Sequence, residues 1–181
     1  MEHGGYFGHW LIDEFGLPAY EYTCDHESDP KASYFTTHGF STDHWHQLGN
    51  DRLNALAHND GSIEVIESTR GLQWLSRRDP RRRQLGGGIA IIQEKDSGAA
   101  TWSDLFSQTN YNNGYRRVFG AGYYRKTTQR NDVKLDHVVF PPFSDDPVLA
   151  SELRVANKSD SAKDLVVYEY WSANIRGITS S

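Results

Sequence analysis

Between residues 133 and 155 the chain alternates side chains with a period of two, and this restricts its fold more than any other feature. Val133, Leu135, His137 and Val139 alternate with Asp132, Lys134, Asp136 and Val138. Leu149, Ser151, Leu153 and Val155 resume the alternation after a break at Pro141-Pro142 and Asp145-Asp146-Pro147. A strand sends successive side chains to opposite faces, so each run can bury one face of a sheet. Leu165 to Trp171 (LVVYEYW) forms another run, rich in β-branched and aromatic residues. Ile63–Glu67, Gly88–Ile92 and Tyr115–Lys126 precede it, the last interrupted by Gly120 and Gly122. Asp60-Gly61 and Asn113-Gly114 supply residues that tolerate positive φ in hairpins. Asp96-Ser97-Gly98 and the segment from Asn157 to Asp160 supply further turns. No stretch keeps a helical period for three turns, and Ser103–Gln108 has room for one short helix. The pattern predicts an all-β chain folded as a sandwich or barrel of antiparallel strands.

At 181 residues the chain has the length of one domain, 1–181, with 1–49 as its least regular, partly wrapping segment. Its 5 Trp, 10 Tyr and 8 Phe argue against disorder. No apolar run is long enough to cross a membrane, and the first residues lack the basic and apolar regions of a signal peptide. Cys24 is the single cysteine, which excludes an internal disulfide and fits a reducing, cytoplasmic location.

Charge is segregated along the chain. Residues 1–49 carry eight acids against one base, Lys31, whereas residues 70–130 carry twelve bases against four acids. Arg70, Arg77, Arg78, Arg81, Arg82 and Arg83 form a cluster of the kind that binds phosphate or nucleic acid. The chain as a whole carries a net charge of −5, and no nucleic-acid-binding motif is present. The expectation is therefore that acidic and basic segments lie beside each other, with neither nucleic acid nor membrane as a partner.

Few residues group as chemistry would require. His44 and His46 share one side of a strand, yet a zinc site needs further ligands that spacing does not nominate, so no metal is expected. His137 alternates with apolar residues and reads as a core histidine held by hydrogen bonds. Asp145-Asp146 is the densest carboxylate pair, but its place before Pro147 suits a turn. Gly86-Gly87-Gly88 lacks the lysine and helix of a phosphate loop and reads as a flexible turn. Asn157-Lys158-Ser159 matches a glycosylation sequon without a secretion signal. Trp74, Trp102, Tyr111, Tyr115, Tyr123 and Tyr124 lie among arginines and amides, Asn110 included. Aromatic faces beside such donors suit sugar rings, although aromatics also fill sandwich cores. Arg70, Trp74, Trp102, Asn110, Tyr111 and Tyr115 are the carbohydrate-binding candidates.

Several segments then occur in a familiar order. Gly5-Tyr6-Phe7-Gly8 leads to Gly16–Thr23 (GLPAYEYT), then Asn50–Gly61 (NDRLNALAHNDG) and Arg70–Leu75 (RGLQWL). Phe119–Lys126 (FGAGYYRK), Asp145–Leu149 (DDPVL), Leu153–Ser159 (LRVANKS) and Tyr168–Trp171 (YEYW) follow. Together they resemble the N-terminal domain of glycoside hydrolase family 94-type enzymes. These are the cellobiose, chitobiose and β-1,2-oligoglucan phosphorylases and the related part of cyclic β-1,2-glucan synthases.

The resemblance implies a large antiparallel β-sandwich of the super-sandwich, galactose-mutarotase-like kind. It also implies that the catalytic Asp and the phosphate-binding residues belong to a helical barrel further along the chain. Nothing in residues 1–181 matches that motif, so no catalytic residue is carried over. The chain is expected to be the N-terminal portion of a larger enzyme, or a truncated copy, inactive by itself. The implied partners are the catalytic barrel, an oligosaccharide and a second copy in a homodimer. No cofactor is implied, only inorganic phosphate as co-substrate. Loops near Arg70–Trp74 and Asn110–Tyr115 are the expected contacts to the acceptor side of the active site. A stand-alone carbohydrate-binding module, part of a β-glycoside hydrolase, and a small hydrolase using Asp145 and Asp146 are the alternatives.

Overall fold

A computed structural model describes residues 7–23, 44–67, 69, 73–79, 84–95, 100–106 and 115–173. Thirteen strands form among them, and every neighbouring pair is antiparallel. In chain order they are β1 (Gly8–Ile12), β2 (Pro18–Tyr22), β3 (Trp45–Gly49), β4 (Leu53–His58) and β5 (Ile63–Glu67). Then come β6 (Gln73–Ser76), β7 (Ile89–Glu94), β8 (Ala100–Ser103), β9 (Arg116–Gly120) and β10 (Tyr123–Arg130). β11 (Val133–Phe140), β12 (Ala150–Asn157) and β13 (Leu165–Tyr170) complete the set. They build a six-stranded sheet, β1-β2-β9-β10-β11-β12, a four-stranded sheet, β3-β4-β5-β6, and a three-stranded sheet, β13-β7-β8. The chain is an all-β sandwich, and among the described residues no helix is long and apolar enough to cross a membrane.

One face of the six-stranded sheet is covered by both smaller sheets. Tyr22, Phe119, Tyr124 and Val139 pack against Leu48, Leu53, Ala55, Ala57, Ile63 and Val65 of the four-stranded sheet. Val133 and Leu135 pack against Ala90, Ile92 and Trp102 of the three-stranded sheet. A backbone bridge between Ile63 and Gly87 joins the two smaller sheets into a second layer. Gly86-Gly87-Gly88 is therefore not a flexible turn. All three glycines are buried, and a Cβ on Gly87 would lie 2.2 Å from the Trp171 ring.

Alternation in β10 and β11 is strict, with every second residue from Tyr124 to Thr128 and from Val133 to Val139 buried. The two strands are joined at Asn131-Asp132, both with positive φ, the pattern of a type I′ hairpin. Within 1–49, the described residues 7–23 and 44–49 are more regular than expected. β1 and β2 form a hairpin at the edge of the large sheet, and β3 is an edge strand of the four-stranded sheet. The Asp13 carboxylate closes the β1–β2 turn by accepting from the Phe15 and Leu17 amides. Five-residue strands of mixed aromatic and polar residues give too little pattern to read, and the alanines of β4 hide its alternation. In the expected helix over 103–108, Ser103 ends β8 and Phe106 has 3-10 geometry, while 107 and 108 lie outside the described residues.

The segregated charges meet across this fold. Glu21 on β2 accepts two hydrogen bonds from Arg116 on β9, each 2.7 Å long. Arg125 on β10 holds Asp136 on β11 through a bidentate pair and reaches Glu14 at 3.1 Å. The Glu21–Arg116 and Glu14–Arg125 pairs each join an acid of 1–49 to a base of 70–130, as expected from the charge pattern.

Candidate functional site

The six carbohydrate-binding candidates do not form one surface among the described residues. Arg70, Asn110 and Tyr111 lie outside the described residues, as do Asn113-Gly114 and Asp96-Ser97-Gly98. Trp74 sits half-buried on β6, with the Arg77 guanidinium over its ring at 5.9 Å. Trp102 is a core residue, 2% exposed, with its indole N–H donated to Glu94 at 3.1 Å. Both faces of its ring are covered, so it offers no platform to a sugar, and that expectation is corrected. Tyr115 donates its phenol to the Asp104 carbonyl at 2.8 Å, and burial pushes its pKa well up. Its ring lies tilted against Phe106 and beneath the buried Arg117 guanidinium. Packing between layers claims Trp102 and Tyr115, because a sandwich of this size needs large rings to fill it.

The most concentrated chemistry is sealed inside. Lys126 on β10 projects into the core and is fully buried, as is His137 on β11. Its Nζ donates to the Asp104 carboxylate at 2.7 Å and to the carbonyls of Gly61 and Gly88. Three acceptors match the three N–H groups of an ammonium. His137 Nδ1 lies 2.7 Å from Asp104 Oδ2, and its Nε2 lies 2.9 Å from Ser151 Oγ. Burial favours the neutral carboxyl of Asp104, but Lys126 and His137 outweigh it and hold the group below its usual range. Burial, then the Lys126 charge, pushes His137 down. This expected core histidine is buried and bonded on both nitrogens. No substrate can reach the cluster, which instead ties all three sheets together.

A second buried chain crosses the β4–β5 turn. Tyr124 donates to the His58 carbonyl at 3.0 Å, Asn59 donates to the Tyr22 hydroxyl at 3.0 Å, and that hydroxyl lies 2.8 Å from His44 Nδ1. Arg78 donates to Asp60 at 2.8 Å, so one arginine of the basic cluster is an internal partner. His46 points its Nε2 to the Gly120 carbonyl at 2.9 Å. His44 and His46 thus serve packing, and among the described residues no group of three or more side chains is arranged to hold a metal.

Open space lies on both sides of the β9–β10 turn at Ala121-Gly122. One side is a pocket of about 330 Å³ on the outer face of the large sheet. Phe15, Tyr123, Val138 and Phe140 line it, and Arg125, Arg154, Glu14 and Glu152 supply charges of both signs. The Tyr123 phenol donates to Asp13 at 3.0 Å, and burial together with that bond pushes its pKa up to about 12. The other side is a groove of about 900 Å³ at the end of the sandwich, where the β3–β4 turn, the β9–β10 turn and the β11–β12 loop meet. Gln47, Asn50, Asp51 and Asn54 face Pro142, Phe143, Ser144 and Asp145 there. Asn50 donates to the Asp146 carbonyl at 2.8 Å and accepts from the amides of Arg52 and Leu53, which fastens loop to turn. Asp145 and Asp146 are exposed turn residues, and the Asp146 amide donates to Ser144 at 3.1 Å. Asn157 closes its own turn by accepting from Ser159 and donating to the Ser161 carbonyl. Sequence reading missed the groove because its walls lie some seventy to a hundred residues apart in the chain. Phe143 beside two prolines was its one visible signal.

Compared with known proteins, the chain matches no family model and no curated protein.

Proposed function

We propose that this chain is the N-terminal, non-catalytic sandwich of a carbohydrate-active enzyme resembling the inverting β-glucoside phosphorylases. The observation that carries the reading is the ordered set of resembling segments. Three of these segments coincide with structural units of the fold. Residues 50–61 span β4 and both its turns, 119–126 make the β9–β10 hairpin, and 153–159 end β12. The reading is also supported by the titratable groups. Among the described residues, every carboxylate with a displaced pKa is displaced downward: Asp13, Glu21, Asp60, Asp104 and Asp136. A general acid for glycoside cleavage needs the opposite shift.

In the proposed parent enzyme, a protonated Asp of a helical barrel donates to the glycosidic oxygen. Inorganic phosphate attacks the anomeric carbon from the opposite face, and glucose 1-phosphate leaves. The sandwich buttresses that barrel, contributes to a homodimer and acts in a cytoplasmic enzyme. Its test compares this chain alone with the same chain joined to whatever open reading frame follows codon 181. With β-glucan and phosphate, the chain alone is expected to release no glucose 1-phosphate, and the extended protein to release it. Turnover by the chain alone, or a stop codon directly after Ser181, would overturn the reading.

A further inference from the structure

We propose that the groove at the end of the sandwich is a binding site for a neutral oligosaccharide, with Phe143 as the platform on which one sugar ring stacks. The site and its residues are separate from the barrel chemistry proposed above, so either idea can fail without the other.

Phe143 is the most exposed large apolar side chain among the described residues, with both ring faces open. Its loop is also held in place. Pro141 and Pro142 fix the backbone before it, and the Asn50 amide donates to the Asp146 carbonyl after it. A tethered loop loses less backbone freedom on binding than a slack one. Opposite it, Gln47 Nε2 donates to Asn54 Oδ1 at 2.9 Å. That bond orients both amides and leaves Gln47 Oε1 and Asn54 Nδ2 as an acceptor and a donor for ligand hydroxyls. Asp51 and Asp145 add acceptors on the rim.

Charge selects the ligand class. No Lys or Arg lines the groove, and two carboxylates do. A phosphate ester or nucleic acid would meet only like charge. A docked protein is disfavoured because Phe143 is the single aromatic of the lining, whereas protein interfaces are enriched in several aromatic anchors. A neutral polyol with an apolar C–H face fits both the platform and the amides.

The test titrates the protein with β-1,2-, β-1,3- and β-1,4-linked glucotetraose, read by calorimetry and by amide shifts in NMR spectra. At least one tetraose is expected to saturate the groove. Phe143→Ala should weaken it at least tenfold and Asn54→Ala at least threefold, while Phe15→Ala in the neighbouring pocket leaves affinity unchanged. Phe143 is solvent-exposed, so its variant should keep the wild-type melting temperature. The proposal is overturned if no tetraose saturates below about 10 mM, if Phe143→Ala binds as wild type does, or if Phe15→Ala abolishes binding instead. Loss of the wild-type melting temperature in Phe143→Ala leaves Asn54→Ala to decide, and unchanged affinity there also overturns it.

Discussion

Lys126 shows how one side chain can commit a fold. Its stem leaves β10 on the apolar face, and its ammonium reaches one carboxylate and two carbonyls beyond the reach of water. Breaking a buried ion pair from one side strands the other charge, at about 3–5 kcal/mol. Lys126→Met is therefore expected to lose about that much stability in urea unfolding, a large part of the ~5–15 kcal/mol of a typical domain. Asp104→Leu in the same background should cost less than it does alone, because the stranded carboxylate is gone. Additive losses would show that the pair is not coupled. His137 gives the pH dependence. Its folded pKa lies below the ordinary 6.5, so the unfolded chain binds more protons as the solution is acidified. Its contribution is complete above pH 6.5 and is lost as pH falls below that value. His46, depressed by burial although its bond to the Gly120 carbonyl opposes the shift, acts in the same direction. Unfolding free energy should thus fall between pH 7 and pH 5, at up to about 1.4 kcal/mol per pH unit per group. His137→Gln should flatten the slope, and an unchanged slope would remove His137 from this role.

Among the elements, glycine has two uses that substitution separates. Gly87 lies under the Trp171 ring and beside the Ile63 bridge, so any Cβ there collides with packed atoms. Gly122 has φ of +83° at a hairpin tip, with nothing within 4 Å of an added Cβ. Gly87→Ala should lose about 1–3 kcal/mol through overpacking and displacement of the bridge. Gly122→Ala should lose only the cost of a left-handed alanine, about 1 kcal/mol, and Gly122→Asn less. Denaturant midpoints of the three variants check the ranking, and equal losses would contradict it. The same scale explains which strands can be read from sequence. β10 and β11 are eight residues long and alternate without a fault, so their pattern announces them. β1, β2, β3 and β6 have four or five residues and are defined by their partners. Asn131-Asp132 carries turn chemistry in its residue types, although Asp132 also fits the alternation that follows it.

For the whole molecule, the six-stranded sheet is a platform with two covering sheets, joined where Ile63 meets Gly87. Polar side chains cross that junction rather than avoid it, and the Asp104 cluster reaches strands of the large sheet and both covering ones. Fully bonded polar networks of this kind narrow a core to one arrangement, since any other leaves a buried charge unmatched. Open space is left at the end of the sandwich and on its outer face, and there the chain exposes Phe143 and Phe15. The proposed roles as barrel support and oligosaccharide site both use these outer surfaces, and neither draws on the sealed cluster.

The recurring strand runs and the lack of a helical period by themselves determined an all-β chain. The alternation at 133–139 determined the buried face of β11 and the core position of His137, because a period of two is a property of one strand. Tertiary structure alone decided that Asp104, Lys126 and His137 meet, that Trp102 is lost to the core, and that Asn50 holds the loop bearing Phe143. Those outcomes depend on register between strands far apart in the chain and on which sheets stack. No local pattern encodes either one, because the free energy that fixes them comes from packing between layers.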